Sequence, residues 1–404
     1  MNILVINAGS TSVKFKLYHM DNQTLIAEGN CQRVGLKDSE IKYVDAAGQK
    51  RLFIEDLDNH NAAFTKILQL LTTGDTKVID SISAIDAVGH RISMGGTRFV
   101  QTAFVTEELL TVAEELGSIA PLHNPPQVAA VRACQQVFGA GIPMAVGFDT
   151  AYHQTMPETS YTYAIPHEYH EKYDVRRFGF HGLSYQFVAR RLEELTGSNG
   201  GHMVVCHLGG GASATAVKHG KSMDNTFGFG TGQGLICGSR AGDFDHVAIG
   251  HILQKSGMSY EEMEEVLHKE SGLLGISGVS SDEKEVEEAA AAGNPRAQLA
   301  LDMMVQQLKK YIGGYAFEMG GLDTLLFTGG IGENSDLIRA MTCQGLASFG
   351  ILLDEEKNST MNRREGKISR PDSRVAIWII PTNEELVIAQ DTALLLANNK
   401  PESK

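Results

Sequence analysis

The sequence predicts an α/β protein built from two duplicated halves, and three observations carry the prediction. Residues 3–17 begin as an apolar run (Ile3, Leu4, Val5, Ile6), break into a small polar turn holding Asn7, Gly9, Ser10, Thr11 and Ser12, and then alternate through Val13, Lys14, Phe15, Lys16 and Leu17. That is the pattern of strand, tight turn, strand. The order recurs about half a chain later, where residues 202–217 give an apolar strand, a turn at Gly209, Gly210 and Gly211, and a strand of small residues. At 404 residues the chain is also long for a single core, so two domains are expected. Glycines and short hydroxyls at each turn offer backbone N–H groups to a polyphosphate, and Lys14 can leave the apolar face to point at the first turn. Two matched halves of this kind imply a duplicated nucleotide-binding fold with an interdomain cleft.

The bulk properties narrow the partners. Apolar residues make up 42% and charged residues 21%, as in an ordinary soluble globular protein. A net charge of −14 argues against nucleic acid or an acidic membrane as a partner, and requires any anionic substrate to be held by a local cationic pocket. No run reaches transmembrane length and residues 1–6 lead directly into a strand, so a cytoplasmic location is expected. The five cysteines are scattered without C-x-x-C spacing, which reads as reduced packing residues.

In chain order, residues 25–53 continue an antiparallel meander, and residues 59–71 have helical apolar spacing through Phe64, Ile67, Leu68 and Leu71. Residues 85–91 form a buried-type strand that puts Arg91 at a strand end, where open α/β sheets bind ligands. A helix over 106–116 follows, then prolines 121, 125 and 126 close one element and open the next. Residues 143–149 are a strand ending on Asp149, and His181 sits on a turn between glycines. Residues 227–245 are glycine-dense, but the interleaved Phe, Leu, Ile, Arg240 and Asp243 argue against a flexible tether. Helices are expected at 260–269, 282–292 and 295–317, the second opened by a Ser280/Glu283 capping box. Residues 322–335 read as strand, Gly-rich loop and helix start, a ready anion site. Residues 374–380 are a buried strand, and a Thr382/Glu385 capping box opens the last helix, leaving Glu384 free to reach a metal.

The motifs at 7–14 (NAGSTSVK), 89–91 (GHR), 121–125 (PLHNP), 148–153 (FDTAYH), 178–182 (FGFHG), 271–275 (SGLLG), 327–335 (FTGGIGENS) and 381–386 (PTNEEL) occur in the order and spacing of the acetate kinases, and the chain resembles that family over essentially its whole length. The resemblance implies two ribonuclease H-like domains of the actin/Hsp70/sugar-kinase type. The first would be residues 1–150 joined by the C-terminal helix at about 385–404, and the second, nucleotide-binding domain residues 151–384. It also implies a homodimer that transfers the γ-phosphoryl of ATP to a small carboxylate with Mg²⁺, or Mn²⁺ in its place.

Carried over position by position, Arg91, His181 and Arg240 resemble the groups that stabilise the transferring phosphoryl, and Asp149 the family's catalytic acid residue. Asn7 and Glu384 correspond to the metal ligands. Lys14, the turn His207, Leu208, Gly209, Gly210 and Gly211, the segment Asp282, Glu283 and Lys284, and the loop Gly330, Ile331, Gly332, Glu333 and Asn334 correspond to nucleotide positions. Arg91, Ser93, Leu122, Phe180 and Thr231 correspond to the acid pocket. The chain departs from the family at Gly210, usually Asn; at 229–234, Phe-Gly-Thr-Gly-Gln-Gly for Phe-Thr-Pro-Leu-Glu-Gly; at Ser93, usually Val; at Met94, usually His; and at 282–284, usually Asp-apolar-Arg. Hydroxyls at Ser93 and Thr231 are expected to widen and polarise the acid pocket, favouring propionate or a hydroxy acid beside acetate. Lys284 cannot stack or fork as Arg does, so weak discrimination among purine nucleotides is expected. A pyrophosphate donor and a non-catalytic ATP-binding relative are the alternatives, the second disfavoured by retention of the full set of catalytic charges.

Overall fold

The computed structural model describes residues 1–139 and 141–399. It divides into two compact units, Met1–Ala151 together with the chain from Asn383 onward, and Tyr152–Thr382. In the first unit the strands are β1 (Asn2–Ala8), β2 (Ser12–His19), β3 (Thr24–Gln32), β4 (Ser39–Asp45), β5 (Lys50–Glu55), β6 (Ala87–Ile92), β7 (Ala103–Phe104) and β8 (Met144–Phe148). They form one sheet in the order β5-β4-β3-β2-β1-β6-β8-β7. Ile3, Leu4, Val5 and Ile6 are all buried, as an unbroken apolar run requires when both sheet faces are covered. In β2, Val13, Phe15 and Leu17 are buried while Lys14 is exposed. The helix His60–Thr72 contributes Phe64, Ile67, Leu68 and Leu71 to the core, and Asn124–Phe138 adds Ala130 and Cys134. The terminal helix Glu384–Asn398 packs on β1, β6 and β8.

The second unit repeats the arrangement. Its strands β9 (His202–His207), β10 (Ser213–Lys218), β11 (Lys221–Asn225), β12 (Thr324–Thr328), β13 (Gly366–Lys367) and β14 (Ala376–Ile379) are ordered β11-β10-β9-β12-β14-β13. The segment β3-β2-β1-β6-β8 and the segment β11-β10-β9-β12-β14 are the same design. Each is an antiparallel meander of three strands whose first member pairs in parallel with a later strand, which pairs in parallel with another. The duplication expected from the two turns is therefore a duplication of whole sheets. Among the described residues all five cysteines are free and buried, matching the packing role expected for them.

Two capping expectations are corrected. Of three Ser/Thr-x-x-Glu spacings near helix starts, only Ser259/Glu262 forms the reciprocal box. At 280–283, Asp282 caps the helix Glu283–Ala291 by accepting from the Lys284 amide at 2.9 Å, while Glu283 turns inward. At the last helix, Asn383 is the cap, accepting from the Leu386 amide at 3.3 Å. Asp and Asn win both contests because a short carboxylate or amide oxygen at the N-cap meets the orphan amides directly. Glu385, left without a capping role, forms an ion pair with Lys16 at 3.2 Å. The helix expected over 260–269 is α-helical only for Tyr260–Glu265 and widens to a π-type turn at Val266–Glu270. The part of the last helix expected at 400–404 lies outside the described residues.

The Asn383 side-chain oxygen also accepts from Lys16 Nζ at 3.1 Å and from Tyr18 Oη at 2.9 Å, tying β2 to the start of the terminal helix. Asn383→Ala removes the cap and leaves those two partly buried donors without their acceptor. It is expected to lower stability by about 2–3 kcal/mol, against under ~1 kcal/mol for Thr382→Ala, as read from denaturant unfolding curves.

Candidate active site

In the first unit, the parallel neighbours β6 and β8 end side by side, with Ile92 opposite Phe148 in register. Arg91 on the first and Asp149 just past the second are thereby within reach of each other. Arg91 donates from Nε to Asp149 Oδ1 at 2.9 Å and from Nη2 to Oδ2 at 2.6 Å, a two-pronged fork. Glu384, the first residue of the terminal helix, approaches Arg91 Nη1 at 3.5 Å. Burial alone would depress the Arg91 pKa, but Asp149 and Glu384 outweigh it and raise it. The Glu384 carboxyl is pushed well above the usual range by burial, with Asp149 adding to the rise and Arg91 opposing it. Glu385 goes the other way: burial works against its charge, and Lys16 outweighs burial, so its pKa falls. Asn7 and Lys14 are register partners across the β1–β2 hairpin. Among the described residues neither side chain has a protein hydrogen-bond or ion-pair partner.

The loop that follows Arg91 is pinned residue by residue. Gln127 accepts from the Ser93 amide at 2.9 Å and donates to Ser93 Oγ at 3.2 Å. Asn124 accepts from the Met94 amide at 3.0 Å and donates to the Met94 carbonyl at 2.9 Å, and Thr150 Oγ1 accepts from the Gly95 amide at 3.0 Å. Asn124 and Thr150 lie inside motifs read from the sequence, but their clamping role and that of Gln127 carry no periodic or spacing signal. Sequence reasoning missed them.

In the second unit, His181 has a φ of +58° and stands immediately before the helix Gly182–Thr196. Its Nδ1 lies 2.9 Å from Ser213 Oγ, its ring centroid 4.1 Å from that of His207, and its edge packs on Phe227. Arg240 donates from Nη1 to Thr231 Oγ1 at 3.0 Å, and its guanidinium lies 5.4 Å from the Phe227 ring centroid. The backbone beneath Arg240 is set by residues 271–275. Gly272, at φ +62°, abuts the Cys237 carbonyl, where a Cβ would stand 2.2 Å from the oxygen, and Leu273 donates to that same carbonyl. A Cβ at Gly211 would lie 3.5 Å from His181 Nε2 and only 2.4 Å from Arg240 Nη2, whereas one at Gly210 would meet nothing within 4 Å. His181, His207, Arg240, Thr231 and Gly211 thus form one cluster, with Phe180 buried beside it on Phe227.

Several expectations about individual groups change. The hydroxyls of Ser93 and Thr231 each accept from a protein donor, Gln127 and Arg240 respectively, and each keeps its own O–H to give. Leu122 is 58% exposed. The glycines expected as a loop at 329–334 are helical, and most amides of that first turn are spent. Gly329 donates to Glu333 Oε1, while Ile331 and Gly332 donate to the Leu208 carbonyl. Among the described residues the Gly330 amide is the first-turn donor without a protein acceptor. Glu333 Oε1 accepts also from the Thr382 amide at 3.1 Å, and Asn334 accepts from Arg363. Glu283 accepts from Ser335 Oγ at 3.1 Å, and Lys284 is exposed with Glu288 4.0 Å away.

A family model described as the Acetokinase family matches residues 2–390. The chain belongs to that family. It is 45% identical to the acetate kinase of Dictyoglomus turgidum over 394 residues, 97% of each chain. The structure superposes on the crystal structure of Porphyromonas gingivalis acetate kinase with a TM-score of 0.91 at 40% identity, covering 98% of this chain and 99% of that one. It superposes on a propionate kinase from Francisella tularensis with a TM-score of 0.90 at 35% identity, covering 96% and 98%. The two-domain α/β fold expected from the sequence is the fold of these acetokinase structures.

In this acetokinase chain the adjacent glycines separate sharply. Gly211→Ala is expected to displace the Arg240 guanidinium and lower turnover on the order of a hundredfold with little change in melting temperature, while Gly210→Asn is accommodated and keeps turnover within about threefold. Steady-state kinetics and thermal melts of the two variants check this. Glu283 offers a pH test. Burial, with Glu287 beside it, raises its pKa to about 7, so the ionised form opposes folding above that value and the cost fades as pH falls toward the unfolded-state carboxyl range. Glu283→Gln should therefore stabilise the protein by about 2 kcal/mol at pH 8 and by little at pH 4.5, as measured by urea unfolding at the two pH values.

Proposed function

We propose that this chain is an acetate kinase, catalysing reversible transfer of the γ-phosphoryl group of ATP to acetate to give acetyl phosphate and ADP. The observation that carries the reading is the family match across the chain. The Arg91–Asp149 fork in one unit and the Arg240–His181 cluster in the other support it. In the forward direction an acetate oxygen forms the new bond to phosphorus as the bond to the ADP oxygen breaks. The nucleophile is already an anion, so no base is needed, and Asp149 is better used to hold Arg91 than to remove a proton. The protein's work is positive charge around the equatorial phosphoryl oxygens, supplied by Arg91, Arg240 and a donor from His181.

Asn7 and Glu384 suit Mg²⁺. The Asn7 amide has no protein hydrogen-bond partner among the described residues, and the buried Asp149 and the largely buried Glu384 both face Arg91. Mg²⁺ keeps several waters and takes only one or two protein ligands beside substrate phosphates, in keeping with the lack of any larger ligand cluster among the described residues. When bound it would neutralise charge on the phosphates. Mn²⁺ would serve similarly. We further propose a homodimer, supported by the helix His246–Ser256, which buries none of its residues and leaves Val247 65% exposed. A cytoplasmic location fits five free buried thiols, and no helix among the described residues is long and apolar enough to cross a membrane.

The family match leads us to expect acetate at the head of the acid panel, ahead of hydroxyacetate, with propionate behind by about 10–200-fold for its extra methylene. A hydroxamate assay with ATP and Mg²⁺ over these acids reads the order. In the same assay Arg91→Ala and Arg240→Ala should each lose about 3 kcal/mol of transition-state stabilisation, a hundredfold or more in kcat. No phosphorylation of any short acid, or near wild-type turnover in both arginine variants, would overturn the assignment.

A further inference from the structure

The contact between His181 and Ser213 does not end there. Ser213 Oγ is fully buried in β10 and has two partners, His181 Nδ1 at 2.9 Å and Tyr185 Oη at 2.6 Å. A hydroxyl carries one proton, so it can donate to only one of them. Tyr185 is fully buried in the helix that His181 precedes, and burial raises its pKa, so it keeps its proton at neutral pH and must place it. Ser213 Oγ is its partner at 2.6 Å, and Thr215 and Asn225 are further hydrogen-bonding neighbours of the phenol. If Tyr185 donates to Ser213, the single proton of Ser213 is directed to His181 Nδ1, and an imidazole that accepts at Nδ1 carries its own proton at Nε2. Nε2 is the ring atom on the side of Gly211 and Arg240.

We propose that Tyr185 and Ser213 are positioning residues forming a donor chain, Tyr185 Oη–H to Ser213 Oγ–H to His181 Nδ1, that holds His181 as the neutral Nε2–H tautomer and so aims a fixed hydrogen-bond donor at the transferring phosphoryl group. The inference rests on the role given to His181 in the proposed reaction. Its consequence is that His181 contributes a dipole, not a charge, and releases no proton during turnover. Two spare elements of the fold then acquire a purpose. The left-handed backbone at His181 places the ring over the start of β10, and the small residue at Ser213 leaves room for the ring and the phenol to share one oxygen.

Long-range nitrogen–proton NMR on the full-length protein labelled with ¹⁵N-histidine tests the chain directly, with the His181 signals assigned by their loss in His181→Gln. The expected pattern at neutral pH is a pyridine-type Nδ1 and a pyrrole-type Nε2. Ser213→Ala should move the ring toward the other tautomer or an average of the two and lower kcat about tenfold, leaving the KM values for nucleotide and acid within about twofold. Ser213→Thr restores the hydroxyl on a residue that strands favour and should recover most of the rate and the wild-type nitrogen pattern. Tyr185→Phe should weaken the pattern by a smaller amount, because Ser213 keeps its proton. A pyrrole-type Nδ1 in the wild-type protein, or an imidazolium pattern, overturns the proposal, as does wild-type kcat in a folded Ser213→Ala. If His181→Gln leaves kcat unchanged, the reading of His181 in transfer fails and this inference falls with it, whatever the tautomer.

Discussion

Arg91 is the charge around which the first unit is arranged. It sits at the end of a central parallel strand, where a guanidinium without partners would cost several kcal/mol in lost solvation. The fork to Asp149 satisfies two of its edges and Glu384 faces a third, so one cation is shared by two carboxylates drawn from positions far apart in sequence. Each partner depends on a different part of the fold. Asp149 needs β8 beside β6, and Glu384 needs the last helix to start where Asn383 caps it. Burial first, and Asp149 after it, leave the Glu384 carboxyl strained against ionisation, a poise suited to a group that gains when another cation is present.

The second unit solves the complementary problem with space in place of charge. Among the described residues Arg240 has no acidic hydrogen-bond or ion-pair partner; it leans on Thr231, Phe227 and the bare backbone of Gly211. Its approach is possible because a side chain is missing at Gly211, and its own backbone turn is held because another is missing at Gly272. A guanidinium placed in this way keeps most of its donors for a ligand. The glycine-dense segment 227–245 is therefore packed tightly on itself and on neighbouring turns, the opposite of a flexible tether.

Thr231 illustrates how a departure from a family pattern acquires a partner that the sequence does not show. Counted as a hydroxyl replacing a proline ring, it suggested a more polar acid pocket. In the fold, the same hydroxyl accepts from Arg240, and Ser93 is similarly held by Gln127. A polar substitution in a buried site is satisfied first by whichever donor is already there, and only a leftover hydrogen bond is available for recognition.

By itself the sequence determined the duplication and most of the order of strands and helices, and its resemblance to a family supplied the proposed catalytic charges. Apolar runs, period-two alternation and Gly-Ser turns are local signals, and the whole-chain motifs are dense enough to assign the rest by resemblance. Helix caps were legible only in type: the Ser/Thr-x-x-Glu spacing at 280–283 and 382–385 was real, but Asp282 and Asn383 made the caps, since competition between neighbouring side chains for the same amides depends on backbone geometry. What only the tertiary structure decided was pairing. That the amides of Ile331 and Gly332 are consumed by Leu208, that Glu283 faces Ser335, and that one hydroxyl, on Ser213, joins Tyr185 to His181 all follow from contacts between residues distant in sequence. Residue type sets how many hydrogen bonds a group can make, and the fold alone sets with whom it makes them.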